Sequence, residues 1–181
     1  YYGAGLYVNG EHITNLVIPS TVEEIKSYAF AGGDFEGVTI PEGVTIIGNG
    51  AFYNCDLIEE IELPTALEAL GAEAFYGCTS LASIELPNTI TSIESNTFSG
   101  CTALKDVTIP SLVTSIGIYA FRNCSSIKSI IIPSSVTSIG NSAFESCTAL
   151  LEVYNLSTLN MSIGATTNGY VTFYAKVIHT S

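Results

Sequence analysis

The chain has 181 residues, one domain under the usual size prior, and no run of it approaches the 18 apolar residues that a membrane-crossing helix needs. It carries 17 Asp and Glu against 5 Lys and Arg, a net charge of −12. A surface of that sign repels phosphate backbones and anionic lipid, which excludes nucleic acids and acidic membranes as partners.

The first expected element is a small hairpin over Leu6–Ile13. Asn9-Gly10 joins two short apolar runs there, the strongest local signal for a tight β-turn. Beyond it the chain repeats itself. Prolines fall at 19, 41, 64, 87, 110 and 133, phenylalanines at 30, 52, 75, 98, 121 and 144, and all five cysteines at 55, 78, 101, 124 and 147. The step is 23 residues, apart from a single step of 22 near the start. A fixed period of this size marks a stack of similar units rather than a globule with one centre.

Residues Leu104 to Ile127 show what one unit contains. Leu104, Val107 and Ile109 follow L-x-x-L-x-L, the opening of a leucine-rich repeat. Val107-Thr108-Ile109 alternates in, out, in, as a half-buried strand does, and Pro110 stops it for want of an N–H. The equivalent triplets are Leu16-Val17-Ile18, Val38-Thr39-Ile40, Ile61-Glu62-Leu63, Ile84-Glu85-Leu86, Ile130-Ile131-Ile132 and, without its proline, Val153-Tyr154-Asn155. A second apolar pair such as Val113 and Ile116 follows. Then comes a Gly (Gly48, Gly71, Gly117, Gly140), expected to allow a sharp change of direction without a Cβ clash. A small residue and Phe complete the unit, and this part predicts a short helix or turn closing the coil. One unit leaves two flat apolar ends, so it needs neighbours and caps.

The ends of the stack depart from this pattern. The first unit is one residue short, has Gly32-Gly33 in place of Cys, and puts Phe35 where later units have Leu or Ile. At the other end, Ser157 to Gly169 is polar and small, a loop. Tyr170 to Ile178 is rich in β-formers and predicts a strand or hairpin closing the last coil.

Written out, the unit is L-x-x-[VI]-x-[IL]-P-x-x-[VIL]-x-x-[IL]-x-x-x-[AT]-F-x-x-C. Over roughly residues 13 to 153 this resembles the BspA-like leucine-rich repeat family of bacterial surface proteins. The tail, Val153 to Ser157 and Tyr170 to Ile178, is similar to the C-terminal ends of such domains. The resemblance implies a secreted or cell-surface, extracellular domain, often an adhesin for host proteins or other cells. The expected fold is an α/β repeat solenoid. In it a right-handed leucine-rich-repeat superhelix carries a parallel sheet on one face, short helical turns opposite, and β-hairpin-like caps. It forms one domain over 1–181, with an N-terminal cap at 1–14, repeats at 15–153 and a C-terminal cap at 154–181. The chain opens on Tyr1 without a Met, which leads to the expectation that a leader or further sequence has been removed.

Catalytic motifs are lacking. His12 and His179 fall in opposite caps, and there is no nucleophile elbow, phosphate loop, H-E-x-x-H or calcium loop. Glu59, Glu60 and Glu62 form a local acidic cluster, but no apolar pocket is implied that would raise a carboxyl pKa for glycosidase chemistry. Asn123-Cys124-Ser125, Asn155-Leu156-Ser157 and Asn160-Met161-Ser162 match the N-glycan acceptor by chance in a bacterial chain. The cysteines form a column of small buried thiols. Parallel Cβ vectors disfavour disulfides between neighbours, although the spacing leaves open whether any pair oxidises. A straight column without a histidine in register does not make a zinc tetrahedron.

What remains is surface. Outward strand positions form two rows: Val17, Thr39, Glu62, Glu85, Thr108, Ile131, Tyr154, and Asn15, Gly37, Glu60, Ser83, Asp106, Ser129, Glu152. They hold five acids and no base, with an apolar, aromatic end at Ile131 and Tyr154. Solenoids offer such faces to partners. Thr39, Glu60, Glu62, Glu85, Asp106, Thr108, Ile131 and Tyr154 are therefore the expected binding residues of a non-catalytic module. It would be a monomer without cofactor or metal, whose ligand is a protein or a host-matrix or cell-surface component that is not acidic. The alternative is a structural spacer in a larger surface protein. Thr91, Thr114 and Thr137 form a further column, read as structural.

Overall fold

A computed structural model describes residues 7, 8 and 10–180; Leu6 and Asn9 of the expected hairpin, and the chain start at Tyr1, lie outside the described residues. Strands β1 (Tyr7–Val8) and β2 (Glu11–His12) pair antiparallel, Val8 opposite Glu11. Gly10 supplies the positive φ, 84°, that a two-residue hairpin requires. His12 Nε2 lies 2.7 Å from Asp34 Oδ2 and ties this hairpin to the first coil.

Each coil then contributes a strand to the first face: β3 (Asn15–Val17), β5 (Gly37–Thr39), β7 (Glu60–Ile61), β9 (Ser83–Glu85), β11 (Asp106–Thr108), β13 (Ser129–Ile132) and β15 (Glu152–Asn155). A last strand, β16 (Val177–Thr180), joins them. All pair parallel, in ladders β3-β5, β7-β9-β11 and β13-β15-β16, with β5 beside β7 and β11 beside β13. The register is the sequence period: Asp106 sits opposite Ser83, and Asn15 sits opposite Gly37 where the first unit is short.

A second wall of strands was not expected from the sequence. The apolar pair after each proline ends in a two-residue strand: β4 (Glu24–Ile25), β6 (Ile46–Ile47), β8 (Ala69–Leu70), β10 (Ser92–Ile93), β12 (Ser115–Ile116) and β14 (Ser138–Ile139). They run parallel as β4-β6-β8 and β10-β12-β14. The threonine column stands beside them. Thr114 and Thr137 each donate through Oγ1 to the carbonyl of the Thr one coil earlier, at 3.3 and 3.2 Å.

The expected helical turns are absent, and with them the α/β class. Among the described residues the helical content is one 3-10 turn, η1 (Asn168–Tyr170), in the C-terminal cap. The reason lies two residues either side of each core Phe. Tyr28, Gly50, Glu73, Asn96, Tyr119 and Ser142 before it, and Gly32, Asn54, Gly77, Gly100, Asn123 and Ser146 after it, all have φ between 53° and 81°. A helix needs consecutive right-handed residues, so it cannot propagate here. The N–H groups bond to the next coil instead: Phe52 to Ala74 (2.9 Å), Phe75 to Thr97 (2.9 Å), Phe98 to Ala120 (2.8 Å) and Phe121 to Ala143 (2.7 Å). The fold is a parallel-strand solenoid of about seven turns, walled on its third side by turns that are hydrogen-bonded from coil to coil.

The glycine column also acts differently from the expectation. Gly48, Gly71, Gly117 and Gly140 have ordinary φ. A Cβ on any of them would lie 2.5–2.6 Å from backbone of the preceding coil. These glycines let coils approach; they do not make turns.

Inside, the six phenylalanines stack with centroids 5.1–5.8 Å apart. Phe35 fills the Leu position of its unit edge-on to Phe30. The cysteines are buried and free. Each thiol donates to the carbonyl of the Phe one coil earlier, at 3.0–3.2 Å. At the C-terminus the β-rich segment forms a strand only from Val177 onward. Residues 171–173 are turns, with Val171 and Thr172 buried, and the Gly169 carbonyl accepts the Phe144 N–H at 2.7 Å.

Candidate functional site

Alternation within three-residue strands decides what faces outward. Leu16, Ile61, Ile84, Ile130 and Val153 point into the core, so their neighbours point away. Thr39, Glu60, Glu62, Glu85, Asp106 and Thr108 are exposed, Ile131 is 51% exposed, and Tyr154 is half-buried. The parallel register brings them into rows. Ser83 stands between Glu60 and Asp106, Thr108 beside Glu85, and Ile131 beside Tyr154.

The face has two regions. Across β5, β7 and β9 runs an open trough of about 730 Å³ that gathers the carboxylates of Glu36, Glu42, Glu60, Glu62 and Glu85, with no Lys or Arg in its lining. Glu36 and Glu42 were missed in the sequence because they sit in the loops flanking β5, where alternation says nothing of direction. The Glu42 carboxylate accepts both the N–H and the hydroxyl of Thr65, each at 3.0 Å, and so is held at the rim.

The C-terminal region is aromatic and apolar. Pairing of β16 with β15 places His179 beside Tyr154, their rings 4.2 Å apart and nearly parallel. The Tyr154 hydroxyl donates to Glu152 at 3.0 Å, and that bond to a carboxylate holds the phenol above its ordinary pKa. Asp106 and Thr108 lie between the two regions. The charge of the chain divides the same way: residues 1–119 hold 15 acids and 2 bases, net −13, and residues 120–181 hold 2 acids and 3 bases, net +1.

On the third side, the rings of Tyr53 and Tyr76 stack 4.7 Å apart, and the Tyr28 hydroxyl donates to Glu73 at 3.0 Å. The signal for the first pair was legible, since both residues follow the core Phe directly at the 23-residue spacing. Among the described residues no group of three or more His, Cys, Asp or Glu is placed to hold a metal ion, and no helix is long and apolar enough to cross a membrane.

The model of the BspA type leucine rich repeat region matches residues 3–101 and 68–174 in six copies, and the chain belongs to that family. Solved structures agree. A leucine-rich repeat protein from Bacteroides ovatus is 32% identical with a TM-score of 0.62, over 84% of this chain and 35% of that one. One from Eubacterium ventriosum is 26% identical with a TM-score of 0.74, over 94% and 45%. A leucine rich cell surface protein from Faecalibacterium prausnitzii is 27% identical with a TM-score of 0.52, over 76% and 52%. The chain thus spans about a third to a half of the length of these relatives. No curated protein matches it by sequence.

Proposed function

We propose that this chain is a non-catalytic binding module of a secreted or cell-surface bacterial protein, engaging a basic or neutral protein ligand through its strand face. The observation that carries this reading is the trough of five carboxylates without a counter-charge. Uncompensated like charges on one face raise the local concentration of a cationic partner and speed its encounter. The trough is wide and open, suited to a macromolecule rather than to enclosing a small substrate away from water. Glu60, Glu62, Glu85 and Asp106 would meet basic side chains, with Thr39 and Thr108 hydrogen-bonding between them. Ile131 and Tyr154 would supply apolar anchorage at the near-neutral end. Family membership and the cell-surface relative support an extracellular setting.

A second reading, a spacer holding another domain off the cell, is favoured by the three hydrogen-bonded walls, which make a stiff rod. Attachment of the triple variant Glu62→Lys, Glu85→Lys, Ile131→Ser to immobilised host-matrix proteins separates the two. We expect at least about a tenfold loss, with the wild-type signal also falling as salt is raised. Unchanged attachment by a variant with native circular dichroism favours the spacer.

A further inference from the structure

We propose that the rod flexes at a built-in joint, between the coil carrying β7 and β8 and the coil carrying β9 and β10, where Glu94 stands in the glycine column and holds the second wall open.

At the 23-residue period the column reads Gly48, Gly71, Glu94, Gly117, Gly140. A Cβ on any of these glycines would lie 2.5–2.6 Å from backbone of the preceding coil. By the offset seen at Gly71, Gly117 and Gly140, the Cβ that Glu94 does carry would meet Ala72 if the two coils packed in the ordinary way. Close-packed backbone cannot absorb such an overlap, so the coils separate instead.

The second wall shows the separation. Its strands pair from β4 to β8 and again from β10 to β14, but β8 and β10 do not pair. Where the first face lacks a ladder, at β5–β7 and β11–β13, the strands still lie side by side, whereas β8 and β10 are set further apart. Elsewhere the wall is bonded through two N–H groups per coil. Glu68 and Thr114 donate to Thr45 and Thr91 at 2.8 and 2.9 Å, and Gly71 and Gly117 donate to Ile47 and Ile93 at 2.8 and 2.7 Å. The corresponding bonds from Thr91 to Glu68 and from Glu94 to Leu70 are not made. Glu94 is tied to its own coil: its carbonyl accepts the Thr97 hydroxyl at 2.8 Å and its carboxylate accepts the Ser92 hydroxyl at 2.6 Å. Thr97 is itself a departure, since the other units carry Ala before the core Phe. A cleft of about 430 Å³ lies here, lined by Glu68 and Leu70 on one side and Ser92 and Glu94 on the other.

The remaining sides stay joined. On the first face Ser83 pairs with Glu60, and the Ala82 N–H donates to Glu59 at 2.8 Å. At the corner past Pro87, Thr89 Oγ1 donates to the Leu67 carbonyl at 2.5 Å. On the third wall Glu73 donates to Ser95 at 3.0 Å and Phe75 to Thr97 at 2.9 Å. Two coils held on two sides and released on the third form a hinge, and a stack stabilised by nearest neighbours bends at its weakest interface. The acidic trough spans this joint, with Glu60 and Glu62 on one side and Glu85 on the other, so flexure changes the angle between its two halves. The joint itself stands whether or not the trough binds a partner.

Amide hydrogen exchange of the chain alone, read residue by residue, tests this. The Glu73 and Ala82 N–H groups cross the joint, and Asn96 and Lys105 make the same bonds one coil further on, all at 2.8–3.0 Å. A flexing joint should leave Glu73 and Ala82 at least about tenfold less protected than Asn96 and Lys105. Glu94→Gly should close the wall and bring the two pairs to parity. Spin labels on Glu24→Cys and Ser138→Cys sit on exposed residues at the two ends of the second wall, while the native thiols are buried. Their distance distribution should be broad, and it should shorten and narrow in Glu94→Gly. Equal protection of the two pairs in the wild-type chain overturns the proposal, and so does a label distribution that Glu94→Gly leaves unchanged.

Discussion

The thiol of Cys101 and the Cα of Gly117 show how single atoms set the spacing of this molecule. Cys101 Sγ reaches back 3.1 Å to the Phe75 carbonyl, which also accepts the Cys78 N–H at 3.3 Å, so one carbonyl is satisfied from two coils. Gly117 is placed where a Cβ would stand 2.5 Å from the backbone N of Ser95, too close for any side-chain atom. From sequence the glycine column looked like a set of turn-makers, because periodic recurrence shows that a residue is needed and not which neighbour forbids a larger one. The two roles separate by mutation. Gly117→Ala must push two coils apart and should cost about 1–3 kcal/mol in urea unfolding. Gly164→Ala, at φ 75° with open space around it, carries only the left-handed backbone penalty of about 1–2 kcal/mol and should leave the coil spacing intact. Equal thermal shifts with no change in near-ultraviolet dichroism for Gly117→Ala would contradict the close-approach role.

At the scale of elements, the strands of the first face were readable, whereas the two-residue strands of the second wall and the turns of the third were not. A strand announces itself by alternation and, in this chain, by the proline that ends it, so β5, β9, β11 and β13 fall within a residue of their expected triplets. The third wall depends on left-handed residues, and eight of the twelve such positions flanking the core Phe residues are not Gly: Tyr28, Glu73, Asn96, Tyr119 and Ser142 before the Phe, and Asn54, Asn123 and Ser146 after it. Tyr, Glu and Ser give no signal of positive φ, and Asn alone among these residues favours it, so a small residue followed by Phe reads as a helical turn. The outward rows of the candidate face were legible for the same reason as the strands, whereas Glu36 and Glu42 reach the trough from loops. The phenylalanine stack gives the prediction proper to this scale. Phe98→Ala, mid-stack and fully buried between Phe75 and Phe121, should cost about 3–5 kcal/mol and lower cooperativity, because each coil is stabilised mainly by its neighbours. Phe30→Ala, at the partly exposed first coil, should cost less, and a larger loss there than at Phe98 in chemical denaturation would argue against nearest-neighbour stacking.

Over the whole molecule, two long-range features are superimposed on one repeat: acid gathered toward the N-terminal end, and an unbroken column of five buried thiols. The column makes stability depend on alkaline pH. Burial pushes Cys55, Cys101 and Cys147 up to about 12, and it drives Cys78 and Cys124 well above the ordinary thiol value as well. In the unfolded chain the same thiols ionise near 9, the value they leave on folding. Below pH 9 both states hold the protons and the thiols add no pH dependence. Between about 9 and 12 the unfolded chain releases protons that the folded one keeps, so ν for the unfolded state falls below ν for the native state and stability declines as pH rises. Each fully developed thiol contributes a slope of about 1.4 kcal/mol per pH unit, so five acting together can unfold a domain of ordinary stability before their native pKa values are reached. Urea midpoints should be flat from pH 7 to 8 and fall steeply above 9. Replacing Cys101 and Cys124 by Ala should make the fall shallower by about two-fifths even though it lowers the midpoint at pH 7. Ellman's reagent should leave the native thiols untouched at pH 8 and titrate five on unfolding; rapid reaction of the folded chain, or a slope indifferent to the double substitution, would mean that the column is open to water.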